Sequence, residues 1–177
     1  VGISGKDGKL ITAKRLLNID QHTDSNVEKA IDLGFVGVPE KIDPQVINAL
    51  INEKMIPVIA PVGIGIDGLT YNINADTAAG AISAAMKASR MIMLTDVVGV
   101  LDKDGNLIPE LTINESLELI KNKVVVGGMI PKLKTCIEAV EGGAEAAVIM
   151  DGRISHSLLL ELFTEHGVGT IIRKNHN

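Results

Sequence analysis

The sequence has no tryptophan, one tyrosine and two phenylalanines, so aromatics make up only 2% of its 177 residues. Three rings, Phe35, Tyr71 and Phe163, are too few for the stacking platforms that hold single-stranded nucleic acid. There is no basic block either: 17 Lys and Arg face 22 Asp and Glu, a formal net charge of −5. That balance argues against a phosphate-backbone partner, so no nucleic acid is expected. A single cysteine, Cys136, excludes an intrachain disulfide framework. It falls on an apolar helical stripe and reads as inert core packing. No apolar run approaches the roughly 18–20 residues a membrane span needs. No signal peptide is visible, although the chain opens Val1-Gly2-Ile3-Ser4 without a methionine.

What is present is aliphatic. Hydrophobic residues reach 46%, so the core must be built from alanine, valine, leucine, isoleucine and methionine. That composition suits buried parallel strands under helices. The length fits one domain or two small lobes and can bury roughly 70% of the unfolded surface.

Turn and cap signals divide the chain. Val1–Ser4 and Leu10–Ala13 read as strands joined through Gly5-Lys6-Asp7-Gly8 as a hairpin. Ser25 and Glu28 have capping-box spacing, which predicts a short helix ending near Gly34. Asp43-Pro44 opens a helix carrying Val46, Ile47, Leu50 and Ile51. Met55–Pro61 reads as a strand, 76–88 as an Ala- and Gly-rich helix, and Met91–Leu94 as a buried strand. Leu101–Leu107 reads as a hairpin. Thr112 and Glu115 form a second capping-box spacing. Helices are predicted over Pro131–Glu141 and Leu158–Phe163, with strands at Ala146–Met150 and Thr170–Ile172. Alternating strands and helices predict a three-layer αβα sandwich around a mainly parallel sheet. Ligands in such sheets sit beyond the carboxyl ends of the strands, which selects the loops after Pro61, Leu94 and Met150.

Tyr71-Asn72-Ile73-Asn74-Ala75-Asp76 carries the most chemistry. If extended, it places Asn72, Asn74 and Asp76 on one face. A helix cap needs one such residue; three converging polar groups suggest a carboxylate or phosphate ligand. Gly127-Gly128-Met129-Ile130-Pro131-Lys132 is the next. Two glycines free the backbone for close approach, and Pro131 suits the first helical position. Lys132 then opposes the helix dipole unless an anion lies between them. Leu94-Thr95-Asp96-Val97-Val98-Gly99-Val100-Leu101 ends a strand with a hydroxyl and an acid. Asp96 there is either a turn cap or part of a ribose and phosphate site.

Other motifs fall away. Gly63-Ile64-Gly65-Ile66-Asp67-Gly68 matches G-x-G-x-x-G, but no helix opens on it, so a flexible loop closing on a substrate is favoured over a dinucleotide fingerprint. Gly5-Lys6-Asp7 lacks the Ser or Thr of a P-loop. Asp102-Lys103-Asp104-Gly105 lacks the remaining ligands of a calcium loop. His22, His156, His166 and His176 are scattered without zinc-ligand spacing; His156 could cap a helix start. No resident metal site is expected.

Taken together, these segments, with Ser4-Gly5-Lys6-Asp7-Gly8, Pro57–Pro61, Asp151-Gly152-Arg153, Leu159–Thr164 and Gly167–Thr170, resemble the acetylglutamate kinases of the amino acid kinase family over nearly the whole chain. The resemblance implies transfer of the ATP γ-phosphoryl to the side-chain carboxylate of N-acetyl-L-glutamate, a cytoplasmic step of arginine biosynthesis. It implies ATP with Mg2+ as cofactor. Lys132 would stabilise the transferring group and Asp76 would orient the catalytic lysines. Asn72 and Asn74 would bind substrate. Thr95, Asp96, Val97, Gly99, Val100, Leu101, Val126 and Gly128 would contact ATP. Residues 1–90 would be the remaining part of the acyl-amino-acid lobe and 91–177 the nucleotide lobe.

The family also has homo-oligomeric members, an arginine effector and a PII-type regulator. Around Glu161 and Gly167 the chain resembles the arginine-responsive type. The family's first lysine-bearing strand, Gly-rich turns and substrate-binding arginine have no counterpart after Val1, so a chain lacking that front part, and incomplete as a kinase by itself, is expected. Two alternatives are another carboxylate or carbamate kinase of the family, and a non-catalytic homologue that binds arginine or nucleotide.

Overall fold

The computed structural model describes residues 1–20, 29–164 and 167–175. The chain forms two compact units, Val1–Ala78 and Ala79–Asn177.

The first unit contains β1 (Gly2–Ser4), a 3-10 turn over Asp7–Lys9, β2 (Ile11–Asp20), β3 (Lys29–Ile42), α1 (Gln45–Asn52), β4 (Val58–Ala60), β5 (Val62–Gly65) and β6 (Thr70–Ile73). The hairpin expected at Gly5–Gly8 does not form. β1 instead runs parallel to β4, while β2 joins another sheet. The Asp7 carboxylate accepts the Ser4 N–H at 2.7 Å and the Ser4 hydroxyl at 3.0 Å. Gly8 (φ 58°) and Lys9 (φ 54°) then turn the chain away from β1. The helix expected from Ser25 to Gly34 is also corrected. Residues 25–28 lie outside the described residues, and 29–34 are strand. The ladder from Ile11–Ile42 to Asp20–Lys29 outweighs the local cap spacing.

β2, β3, β6 and β5 close a four-stranded barrel. So small a barrel leaves no room for interior side chains at some positions. A Cβ on Gly37 would lie 2.9 Å from the Lys14 carbonyl, and one on Gly63 2.9 Å from the Ala13 Cβ.

α2 (Ala75–Ala85) leads into the second unit, which holds β7 (Met91–Thr95), β8 (Glu110–Thr112), α3 (Ile113–Lys121), α4 (Met129–Glu141), β9 (Ala146–Asp151), α5 (Ser157–Phe163) and β10 (Thr170–Arg173). Its sheet has the order β7-β9-β10-β8, with β9 antiparallel to β10 and the other two pairs parallel. β9 is buried along its whole length, which explains why its sequence runs apolar without alternation. Leu133, Cys136, Ile137 and Val140 of α4 pack with Met91, Met93, Ile149 and Ile172 into an aromatic-free core. A Cβ on Gly80 would come 2.8 Å from the Thr135 methyl, so the small residues of α2 let it approach α4.

The capping box at Thr112 and Glu115 is complete in both directions. Helices α1, α2 and α3 end alike, with two reversed backbone hydrogen bonds around a left-handed residue: Lys54 (φ 58°), Lys87 (φ 48°) and Lys123 (φ 56°). Glycine normally takes that position, as Gly143 does after α4. Among the described residues, five of eight strand pairings are parallel, giving the α/β order expected. No helix among them is long and apolar enough to cross a membrane.

Candidate functional site

In the second unit, β7 and β9 are parallel with Thr95 opposite Asp151, so their carboxyl ends open at one level. A cavity of about 410 Å³ lies there, within the usual size of a small-molecule site. Asp96, Val97, Val98, Gly99 and Leu101 form one wall. Val124, Val125, Val126 and Met129 form another, and Asp102 and Arg153 add polar groups. The cavity is thus an apolar slot with a few charged atoms, suited to a flat ring carrying polar substituents.

The first wall is held from behind. Arg153 donates through its N–H (2.9 Å) and Nε (3.0 Å) to Asp151 Oδ1, and through Nη2 to Asp151 Oδ2 (2.8 Å) and the Asp96 carbonyl (2.6 Å). Asp151 is only 6% exposed. The Arg153 hydrogen bonds, side chain first and backbone second, pull its carboxyl down to about 2. Further along, the Val100 N–H donates to Thr170 Oγ1 at 2.8 Å, and that hydroxyl donates to the Ile108 carbonyl at 2.7 Å. A Cβ on Gly99 (φ 147°) would lie 2.6 Å from the same oxygen, so glycine is required for this approach.

Of the residues expected to contact ATP, Asp96, Val97, Gly99, Leu101 and Val126 line the cavity. Thr95 ends β7 and donates its hydroxyl to Asp96 Oδ1 at 3.1 Å. Val100 is wholly buried. Its N–H is taken by Thr170 and its carbonyl by Ile108, so it backs the wall without lining it. Gly128 caps α4 and does not line the cavity. Val98 falls within the Asp96–Leu101 loop expected to contact ATP, and Val124 and Val125 directly precede Val126; Asp102, Met129 and Arg153 lie outside the expected contacts. For Arg153 a signal existed: Asp151-Gly152-Arg153 follows directly on an all-apolar strand.

α4 begins at Met129, two residues before the expected start, so Pro131 is its third residue rather than its first. It still falls where a helix N–H has no internal partner, so proline is tolerated. Lys132 follows, half-buried. Gly127 has φ 58°, whereas Gly128 has an ordinary helical conformation and open space where a Cβ would stand. Neither backbone geometry nor packing demands glycine at 128.

In the first unit, strict alternation through 76 is not maintained. β6 buries Tyr71 and Ile73 and exposes Asn72, but α2 starts at Ala75. Asn74 caps that helix, its Oδ1 accepting the Thr77 N–H at 3.1 Å. This leaves its amide nitrogen as donor. Asp76 sits in the first helical turn. Gly63–Gly68 spans β5 and the turn before β6; it opens no helix, as expected, and the dinucleotide reading is excluded. The turn is fixed by Asp67, which accepts the Leu69 N–H at 2.9 Å and the Tyr71 hydroxyl at 2.5 Å. The Tyr71 hydrogen bond lowers the Asp67 carboxyl, and the same bond raises the Tyr71 phenol. His156 stands at the start of α5 in a left-handed conformation without a side-chain cap, so the expected capping role is not observed.

A second cavity, about 290 Å³, is lined by Arg90, Glu110, Glu161, Gly167 and Arg173. Glu161 is 7% exposed. It accepts the Val168 N–H at 3.0 Å and pairs with Arg90 at 3.7 Å. A Cβ on Gly167 would collide with the Glu161 carboxylate. Among the described residues, no group of three or more His, Cys, Asp or Glu could hold a metal.

Parallel strands opening on an apolar slot, beside a glycine-led helix that carries a lysine, define an α/β protein with a candidate ligand site at its strand ends. The family comparison makes this specific. The chain belongs to the amino acid kinase family, whose pattern matches residues 1–151. It is 63% identical over 173 residues to acetylglutamate kinase of Gluconobacter oxydans (strain 621H), covering 98% of this chain and 59% of that protein. It is 59% identical over 174 residues to acetylglutamate kinase of Parvibaculum lavamentivorans, covering 98% and 57% respectively. The chain therefore spans under three-fifths of the length of these curated relatives. Among solved structures, N-acetylglutamate synthase from Neisseria gonorrhoeae, complexed with coenzyme A and L-arginine, superposes with a TM-score of 0.82 at 27% identity over 98% of this chain and 38% of that one. Carbamate kinase from Giardia lamblia shares the fold, with a TM-score of 0.64 at 20% identity over 92% of this chain and 52% of that one.

Proposed function

We propose that this chain is the greater part of an acetylglutamate kinase, moving the γ-phosphoryl of ATP to the side-chain carboxylate of N-acetyl-L-glutamate in cytoplasmic arginine synthesis. The observation that carries this reading is the 63% identity to a curated acetylglutamate kinase over 98% of the chain. The apolar slot after β7 fits an adenine ring, and its charged atoms fit the polar remainder of a nucleotide. In this reading the second unit binds ATP, which brings Mg2+ on its phosphates, and the first unit binds the acyl amino acid through Asn72 and Asn74. Asp76 keeps an orienting role.

The chemistry asks little covalent help of the protein. Phosphoryl transfer depends on alignment and on positive charge at the transferring group, which Lys132 supplies. The nucleophile is a carboxylate, ionised at neutral pH, so no general base is required. The open space at Gly128 supports close approach of phosphate oxygens to the start of α4.

The second cavity supports an arginine effector. Its Glu161 and Glu110 hold the guanidinium groups of Arg90 and Arg173, pairings that a ligand's guanidinium would have to join or replace, and the Neisseria synthase of similar fold was crystallised with L-arginine. Coupled ADP-release assays on the intact protein with N-acetylglutamate, glutamate, aspartate and carbamate test the reading. Turnover confined to N-acetylglutamate supports it, and turnover with aspartate or carbamate alone overturns it.

A further inference from the structure

The Asp151-Gly152-Arg153 turn has no assigned part in the reaction, yet it contacts the slot from behind. Between Thr95, whose carbonyl accepts the Gly152 N–H at 2.9 Å, and Val100, held by Thr170, the chain runs exposed over Asp96, Val97 and Val98 before Gly99 turns inward. Among the described residues, Asp96, Val97, Val98 and Gly99 make one hydrogen bond to a distant part of the chain. It is the 2.6 Å bond from Arg153 Nη2 to the Asp96 carbonyl.

Arg153 is well placed to hold that bond. Its side chain is 69% exposed, and a long exposed side chain is ordinarily free to sample many rotamers. Here Nε and one Nη2 hydrogen are fixed on the two oxygens of the buried Asp151 carboxylate. The planar fork then aims its second Nη2 hydrogen at Asp96. A guanidinium has five N–H donors. Three are used in this way, and the two on Nη1 remain beside the slot that Arg153 itself lines.

We propose that Arg153 is a positioning residue of the nucleotide site: braced by Asp151, it fixes the Asp96–Gly99 wall through the Asp96 carbonyl. This rests on the reading of the slot as the ATP site. It separates two functions in the turn. Asp151, buried at the end of β9, orients the guanidinium, and Arg153 transmits that order to the near end of a wall whose far end is held separately by Thr170. The role is geometric, so substitution acts on the nucleotide's affinity rather than on the transfer step.

The test measures ATP binding by titration calorimetry, and KM and kcat, on the intact protein and its R153A, R153K and D151N variants. R153A is expected to raise the Kd and KM for ATP about tenfold. Its kcat stays within about twofold, KM for N-acetylglutamate is unchanged, and the melting temperature barely moves. R153K recovers little, because an ammonium cannot hold both Asp151 oxygens and the Asp96 carbonyl in one plane. D151N weakens ATP in the same direction, and the double variant D151N/R153A is no worse than R153A, since both act through one contact. Wild-type ATP affinity in R153A, or losses that add in the double variant, overturns the inference while leaving the ATP reading intact. An unsubstituted protein that fails to bind ATP overturns both.

Discussion

The hydroxyl of Thr170, on the last strand of the sheet, accepts the N–H of Val100 at 2.8 Å across seventy positions of sequence. Both residues are fully buried. The bond fixes the far end of the slot's wall, and the same oxygen donates to the Ile108 carbonyl.

T170V keeps the shape and removes both bonds, stranding a buried donor and a buried acceptor. A loss of about 1–3 kcal/mol in unfolding free energy is expected. T170S keeps the hydroxyl and should lose under about 1.5 kcal/mol, the price of one methyl group. Urea unfolding of the two variants measures the difference; equal losses would show that the hydroxyl contributes nothing.

K132A tests the transfer step. Removing a cation that acts on transition-state charge should lower kcat by roughly 100-fold or more. Lys132 is half-buried and outside the core cluster, so the thermal midpoint should shift little. Unaltered kcat would remove Lys132 from the mechanism.

Asp151 sets an acid limb of stability. Its folded carboxyl lies at about 2, below the ordinary 3.8. A depressed carboxylate contributes stability that is fully present above pH 3.8 and is lost as pH falls through 2. D151N has no such group, so the stability gap between the original and the variant should narrow steadily over that interval. A constant gap in acid unfolding curves contradicts the pairing with Arg153.

The left-handed lysines offer a stabilising change. At Lys123 (φ 56°), a glycine relieves about 1 kcal/mol of backbone strain. Loss of a cation near the helix end returns roughly 0.3–1 kcal/mol of that. A net gain of a few tenths of a kcal/mol is expected for K123G. K123V, β-branched where φ is positive, should destabilise by about 1–3 kcal/mol. Thermal melts of the pair rank them.

Short-range signals were legible where the backbone itself carries the information. The Thr112–Glu115 box closes as its spacing demands, and the turn between Leu101 and Leu107 forms a bridged loop around the Asp102 carboxylate. Long-range pairing was not legible. Gly5–Gly8 has the composition of a hairpin turn, but the partner of β1 is β4, a strand more than fifty residues away. The spacing at Ser25 and Glu28 suggests a helix, whereas Lys29–Ile42 is one long strand whose partner lies in β2. At the site, the wall residues after β7 could be read from the sequence because they are contiguous. On the opposite wall only Val126 was marked, through its place just before the Gly127-Gly128 motif; Val124, Val125 and Met129 show the anonymous pattern of a core segment. Asp151-Gly152-Arg153 stood out as a motif, but the role proposed for Arg153 did not, because it runs through a backbone carbonyl, which leaves no mark on the residue alphabet.

The Tyr71–Asp67 pair carries a further consequence for anyone following this protein by light. With no tryptophan and a single tyrosine, emission excited beyond the phenylalanine band originates from one ring in the barrel, hydrogen-bonded to a carboxylate that quenches it. Fluorescence will brighten when that barrel opens and stay blind to the aliphatic second unit, whose melting registers only in far-ultraviolet dichroism. A mismatch between the two signals would be a map of where unfolding begins.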